Sequence, residues 1–134
     1  MSAWGISNFE NDTALDWVSA VVQQKEVSNL TKTIDSFVSD FKSNETTLID
    51  CSRFLTIAEV VAGLVGSPAE DFPEELSDWI EVKYLKLDKS TIDTTVKGVN
   101  LVLLDSEVKE MYLDSGYFKS WEKAQKDLIK RLSE

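Results

Sequence analysis

The sequence contains no histidine and only one cysteine, Cys51. Histidine is the commonest general base of enzymes and a frequent zinc ligand, so its absence excludes the usual acid–base apparatus and most zinc sites. A single cysteine can form no intramolecular disulfide, and without histidine it can form no Cys–His nucleophile pair. We therefore expect Cys51 to be an inert thiol near the start of a buried helix.

Basic residues and long apolar runs are also scarce. The chain has 14 Lys and Arg residues against 24 Asp and Glu residues, a formal net charge of −10. This charge disfavours nucleic acid and anionic membranes as partners. It favours solubility, a cationic partner such as a basic protein, or no specific partner at all. The longest apolar region, Phe54–Val65, contains Glu59 and is too short to cross a bilayer. No signal-peptide core is evident, so we expect a cytoplasmic protein.

The motifs of the common catalytic classes are missing as well. The sequence lacks a P-loop, a Gly-rich dinucleotide fingerprint and the nucleophile elbow of hydrolases. It also lacks the Glu-x-x-His pairs of di-metal helical bundles and the acidic spacing of a calcium-binding EF-hand loop. We therefore predict a protein that is not an enzyme and that uses no cofactor or metal ion.

Apolar residues recur at helical spacing along most of the 134 residues, a length that suits one domain. The sequence predicts an all-α, single-domain irregular bundle of five to seven helices that spans residues 1–134. Its centre is a helix at about 50–65 that is apolar on nearly every side. Residues 92–104 are rich in β-branched types, and Val99–Leu104 could form a strand, but the length of the segment and its helical neighbours favour a helix. The inward residues predicted for that helix are Ile92, Val96, Val99, Leu103 and Leu104.

Local signals predict where several helices begin and end. Ser28 and Ser106 are candidate N-caps, and Pro73 suits the first position of a helix. Gly66 and Gly116 are predicted to end helices, because glycine readily adopts the left-handed conformation common there.

The opening stretch, Ala3–Trp17, reads AWGISNFENDTALDW and combines a turn, an aromatic anchor and a helix start. Gly5 permits a sharp turn, and Asn11 is the preferred N-cap of the first helix. Trp4 and Phe9 offer enough apolar surface to hold the stretch against the core. We therefore expect residues 1–11 to form a docked N-terminal segment.

This opening string resembles the start of an uncharacterised bacterial family of domains of unknown function. Members of that family begin with a Trp-Gly pair, followed by Phe, an Asn-Asp pair and Ala-x-Asp-aromatic. The resemblance continues more loosely through Ile57–Ala62, Pro73–Trp79 and Ser106–Glu107, whereas Ile6 and Ser7 stand where members often carry small residues. It implies a small helical bacterial protein and brings no established activity. Some small proteins of this kind resemble immunity partners of secreted toxins.

Glu59 is the most unusual carboxylate, because it lies among apolar residues of the predicted central helix. A buried carboxylate must find hydrogen-bond donors or take up a proton. We favour a structural role in which the Trp4 indole or backbone N–H groups near Gly5 donate to Glu59. The functional alternative is a pocket of perturbed acids formed by Trp4, Asp12, Asp16 and Glu59.

The densest acidic run lies between residues 70 and 81 and contains no basic residue. A charge run of this kind is most often a solvated helix face. The sharper hypothesis is a docking surface for a basic partner, which would speed association by electrostatic steering. The residues of this acidic face are Asp71, Glu74, Glu75, Asp78 and Glu81.

Size, charge and the missing catalytic motifs together favour a non-enzymatic acidic binding protein. The leading hypothesis is an immunity or inhibitor protein that neutralises a basic bacterial toxin, such as a nuclease. Two alternatives stay open: a general adaptor or regulatory protein, and a protein that binds a small ligand in the carboxylate pocket around Glu59.

Overall fold

Helices make up most of the chain. The computed structural model describes residues 5–23, 30–83 and 87–133. Within these ranges the predicted all-α bundle is confirmed. The described residues form seven helices, the upper limit of the five to seven that were predicted. The helices are α1 (Asp12–Gln23), α2 (Leu30–Asp40), α3 (Leu48–Leu64), α4 (Glu74–Lys83), α5 (Lys89–Leu104), α6 (Glu107–Ser115) and α7 (Phe118–Ser133). Predictions made for Trp4 and Ser28 concern residues outside the described ranges.

Side-chain caps and glycines set several helix ends. The Oδ1 atom of Asn11 accepts a hydrogen bond of 2.8 Å from the first turn of α1, as predicted. The Thr47 and Ser106 hydroxyls each accept a bond of 3.1 Å at the starts of α3 and α6. Gly66 and Gly116, which follow α3 and α6, have φ values of +93° and +82°. Those angles favour glycine, so these predicted helix ends are confirmed by backbone geometry.

The central helix is α3. Of its 17 residues, 11 are buried, which means that it is surrounded on most sides. It packs against each of the other helices from α1 to α7. This confirms the prediction of a buried central helix at about 50–65. None of the helices in the described ranges, α3 included, combines the length and apolar character needed to cross a membrane.

The buried face of α5 differs from the predicted one. Leu104, a predicted inward residue, is 73% exposed, while Val99 is buried as expected. A Cβ atom at Gly98 would overlap the Phe54 ring, so glycine lets α5 approach α3 closely. Compared with the prediction, the buried face of α5 is shifted by about one residue along the helix. Small and hydroxyl-bearing side chains, and not the large aliphatic ones, lie where α5 comes closest to its neighbours. The buried residues of α5 are Thr91, Thr95, Gly98, Val99 and Val102.

Candidate functional site

Glu59 lies midway along α3 and is only 4% exposed. Its Oε2 atom accepts a hydrogen bond of 2.9 Å from Nδ2 of Asn8 in the N-terminal segment. From α7, the Arg131 guanidinium donates to Oε1 at 2.9 Å and to Oε2 at 3.4 Å. The buried carboxylate is therefore held by a two-pronged ion pair and an amide.

A second set of hydrogen bonds fixes these partners in place. The amides of Asn8 and Gln125 pair reciprocally, with donor–acceptor distances of 3.1 and 2.9 Å. Arg131 also donates to Asp127 at 2.8 Å and to the Ser67 carbonyl at 3.2 Å. We refer to Asn8, Glu59, Gln125 and Arg131 as the Glu59 cluster. Because its members come from the N-terminal segment, α3 and α7, the cluster joins both ends of the chain to the core.

Burial is the main influence on the ionisation of this cluster. It raises the pKa of Glu59, and the hydrogen bonds and charge of Arg131 and the Asn8 amide offset only part of that rise. Burial lowers the pKa of Arg131, but Glu59 and Asp127 outweigh it, so that pKa is raised overall. Arg131 therefore remains a cation, and an ionised Glu59 always faces an opposite charge.

The space beside the cluster is too small for a substrate. A cavity next to Asn8, Tyr112 and Trp121 has a volume of about 10 Å³, roughly the room that one water needs. Asp12 and Asp16, which were predicted to share a pocket with Glu59, are both exposed on α1. Glu59 instead takes its partners from the N-terminal segment and α7. Within the described ranges, no group of three or more acidic or cysteine side chains is arranged to hold a metal ion.

The acidic face, the second site predicted from the sequence, lies on α4 and the segment before it. Asp71, Glu74, Glu75 and Asp78 are all exposed, while the Glu81 side chain is outside the described part of the structure. Asp71 accepts a hydrogen bond from the Ser7 hydroxyl. Among the described side chains, Glu74, Glu75 and Asp78 form no salt bridge. Three neighbouring carboxylates of α4 therefore face solvent.

The segment before α4 holds the acidic face in position. The Phe72 ring packs edge-on against the ring of Phe9, with centroids 5.7 Å apart. It also lies so close to Gly63 that a Cβ there would be 2.8 Å from the ring. The buried Leu76 and Trp79 then fix the inward side of α4. The acidic side chains therefore project from an anchored helix near the C-terminal end of α3.

Comparison with known proteins identifies the family. Residues 2–124 match a family described as a domain of unknown function (DUF4259). The chain belongs to this family. The predicted membership of a family without established activity is therefore confirmed. No curated protein and no solved structure matches the chain.

The DUF4259 match includes Asn8 and Glu59 but ends just before Gln125 and Arg131. The sequence predicted a donor to Glu59 from the N-terminal segment, and Asn8 supplies it through its side chain. Gly5 has another role, since its carbonyl accepts a hydrogen bond of 2.8 Å from the Tyr112 hydroxyl. Trp4, the other predicted donor, lies outside the described residues.

The α7 members of the cluster were not predicted. Gln125 is fully buried and lies one helical turn from both Trp121 and Leu128, within the apolar stripe of α7. A polar residue inside such a stripe signals a buried hydrogen-bonding partner. Arg131 gives a weaker signal, because cations are common in the last turn of a helix.

Proposed function

We propose that this DUF4259 member is a non-enzymatic protein that binds a basic protein partner through the acidic face. The observation that carries the proposal is the exposure of Glu74, Glu75 and Asp78 without salt-bridge partners among the described side chains. The net charge of −10 extends this negative potential over the molecule. The buried carboxylate of Glu59, in contrast, is engaged by Arg131 and Asn8.

The arrangement of charge on α4 favours a cationic partner. Glu74 and Asp78 are four residues apart and Glu75 and Asp78 three apart, so each pair costs roughly 0.2–0.5 kcal/mol by repulsion. Glu74 and Glu75 gain from the helix dipole in the first turn, but Asp78 lies beyond it. A basic partner would relieve the repulsion, and the negative field would speed the encounter.

The finer proposal is an immunity or inhibitor protein that neutralises a basic toxin in the bacterial cytoplasm. A nuclease needs a positive surface to hold nucleic acid, and an acidic protein can cover that surface. The same face would serve a regulatory adaptor. Loss of the partner's activity on binding distinguishes an inhibitor from an adaptor.

The test is a pull-down from native cell extract at low and high salt, with the bound proteins identified by mass spectrometry. We expect one basic protein at near-equal stoichiometry, released by high salt. Reversing the charge of Glu74, Glu75 and Asp78 to Lys should abolish capture. The matched control reverses the charges of Glu107, Glu110 and Asp114, three exposed acids of α6. Two of them, Glu107 and Glu110, lie in the first turn of that helix. Equal loss in both triple variants, or capture insensitive to salt, would refute the acidic face as the binding surface.

A further inference from the structure

A groove of about 340 Å³ opens between α2, the loop that follows it and the start of α3. Its size lies within the range of sites that hold small organic molecules. The groove has an apolar floor and an acidic rim. The floor is formed by Phe37, Phe54 and Ile57. The rim carries the carboxylates of Asp40, Glu45 and Asp50 and one cation, the guanidinium of Arg53.

The aromatic floor is rigid. The rings of Phe37 and Phe54 are stacked, with centroids 4.1 Å apart and planes 9° from parallel. Phe54 is buried, and the edge of its ring contacts Gly98 of α5. Because the ring cannot retreat, a flat ligand would meet a preformed surface.

Asp40 supplies the least compensated charge on the rim. Asp40 is the last residue of α2, at the negative end of the helix dipole, and the last turn contains no basic residue. Asp40 forms no salt bridge with any described side chain. Asp50 pairs with Arg53 and Glu45 with Lys42, each at 3.5 Å, but these pairs are solvent-exposed and therefore weak.

We propose that this groove binds a small organic cation with a flat apolar body and a guanidinium or amidinium head. The body would pack against the half-buried Phe37, whose ring also attracts a nearby cation. The planar head offers paired N–H donors, which match the carboxylate of Asp40. A bound cation would also offset the unfavourable placement of Asp40 at the end of α2.

This site is separate from the acidic face and does not depend on its proposed function. Asp50 lies in the first turn of α3, whereas Gly63, which contacts Phe72 before α4, lies in the last. At 1.5 Å per residue, roughly 20 Å of helix separates the two surfaces.

The test is an NMR titration of the ¹⁵N-labelled full chain with benzamidine and with benzamide, its neutral analogue of the same shape. We expect benzamidine to cause saturable shifts confined to residues 33–57 that weaken with added salt. Benzamide should bind more weakly by a factor of up to about five, the upper end of the scale for one solvent-accessible ion pair. Asp40→Asn should weaken benzamidine binding by a similar factor. The matched control, Asp35→Asn, removes an exposed charge from the same helix outside the groove and should leave binding unchanged.

A second variant fills the groove. Ser36 is exposed on α2 and lines the groove, so Ser36→Trp should abolish the benzamidine shifts while the melting temperature stays near that of the wild type. Equal binding of benzamide would overturn the proposal, because the groove would then select shape without charge. Shifts centred on α4, equal effects of Asp35→Asn and Asp40→Asn, or the absence of saturation would overturn it too.

Discussion

Arg131, which is half-buried, and the buried Glu59 are 72 residues apart in the chain and form an ion pair with contacts of 2.9 and 3.4 Å. Arg131 lies near the end of α7, and Glu59 lies at the middle of the central helix. Asn8 binds the same carboxylate, so the N-terminal segment is secured at the same point. The Glu59 carboxylate therefore links the N-terminal segment and α7 to the central helix.

Removing one partner of this pair should be costly. Arg131→Met leaves the Glu59 carboxylate buried without its cation, which typically costs about 3–5 kcal/mol of unfolding free energy. Lys130→Met is the control, because Lys130 is exposed on the same helix and should change stability by less than about 0.5 kcal/mol. Urea unfolding followed by tryptophan fluorescence measures both. Equal stabilities for the two variants would contradict a stabilising role for the Glu59–Arg131 pair.

Replacing both partners should restore much of that loss. In the double variant Glu59→Leu with Arg131→Met no buried charge remains, so we expect it to be more stable than Arg131→Met alone. A double-mutant cycle from the same urea curves gives the coupling energy between the two residues. Additive losses would show that the pair contributes through packing alone.

The raised pKa of Glu59 predicts a definite pH dependence. Above the ordinary value of 4.5 the unfolded chain releases this proton first, so the contribution of Glu59 to stability falls as pH rises through the folded pKa. The stability of the wild type relative to Glu59→Gln should thus be highest at acidic pH and decline toward neutrality. Urea unfolding at several pH values between about 4 and 8 measures the difference. A difference that grows with pH would mean that Arg131 outweighs burial.

Cys51 should be inert in the folded protein. It is 0% exposed, and burial, aided by Glu107 and Asp50, raises the pKa of its thiol to about 12. At pH 8 the thiolate fraction is then about a thousandfold lower than for a thiol of pKa 9.0, even before access is considered. A thiol-reactive dye should therefore label the protein only as it unfolds in urea. Labelling of the native protein at the rate of the unfolded chain would refute this prediction.

Gly98 should not tolerate even a methyl group. Gly98→Ala gains up to about 1 kcal/mol of helix propensity, but its Cβ would overlap the buried Phe54 ring, and such overpacking costs about 1–3 kcal/mol. We expect a net loss of stability in thermal unfolding. Phe54→Leu should reduce the penalty of Gly98→Ala, since it removes part of the ring. The exposed neighbour Asn100 serves as the control through Asn100→Ala.

The exposure of the acidic face at Asp71, Glu74, Glu75 and Asp78 could be predicted from the sequence, because apolar Leu76 and Trp79 mark the inward side of α4 and leave the charges outside. The burial of Glu59 was also predictable from its apolar neighbours. The residues of α7 that bind Glu59 and Asn8 could not be predicted in the same way. Arg131 and Gln125 belong to the last helix, and nothing in the local sequence of α3 specifies which distant side chains it meets.

The helical elements, several of their ends and the choice of α3 as the centre follow from local sequence patterns. Caps such as Asn11 and Ser106 and glycines such as Gly66 act within one helical turn, so their effects can be predicted from neighbouring residues. The buried face of α5, the Glu59–Arg131 pair and the groove beside Asp40 emerge only when the helices pack together. Each of these depends on how closely helices approach one another, and that distance is set by side chains far apart in the chain.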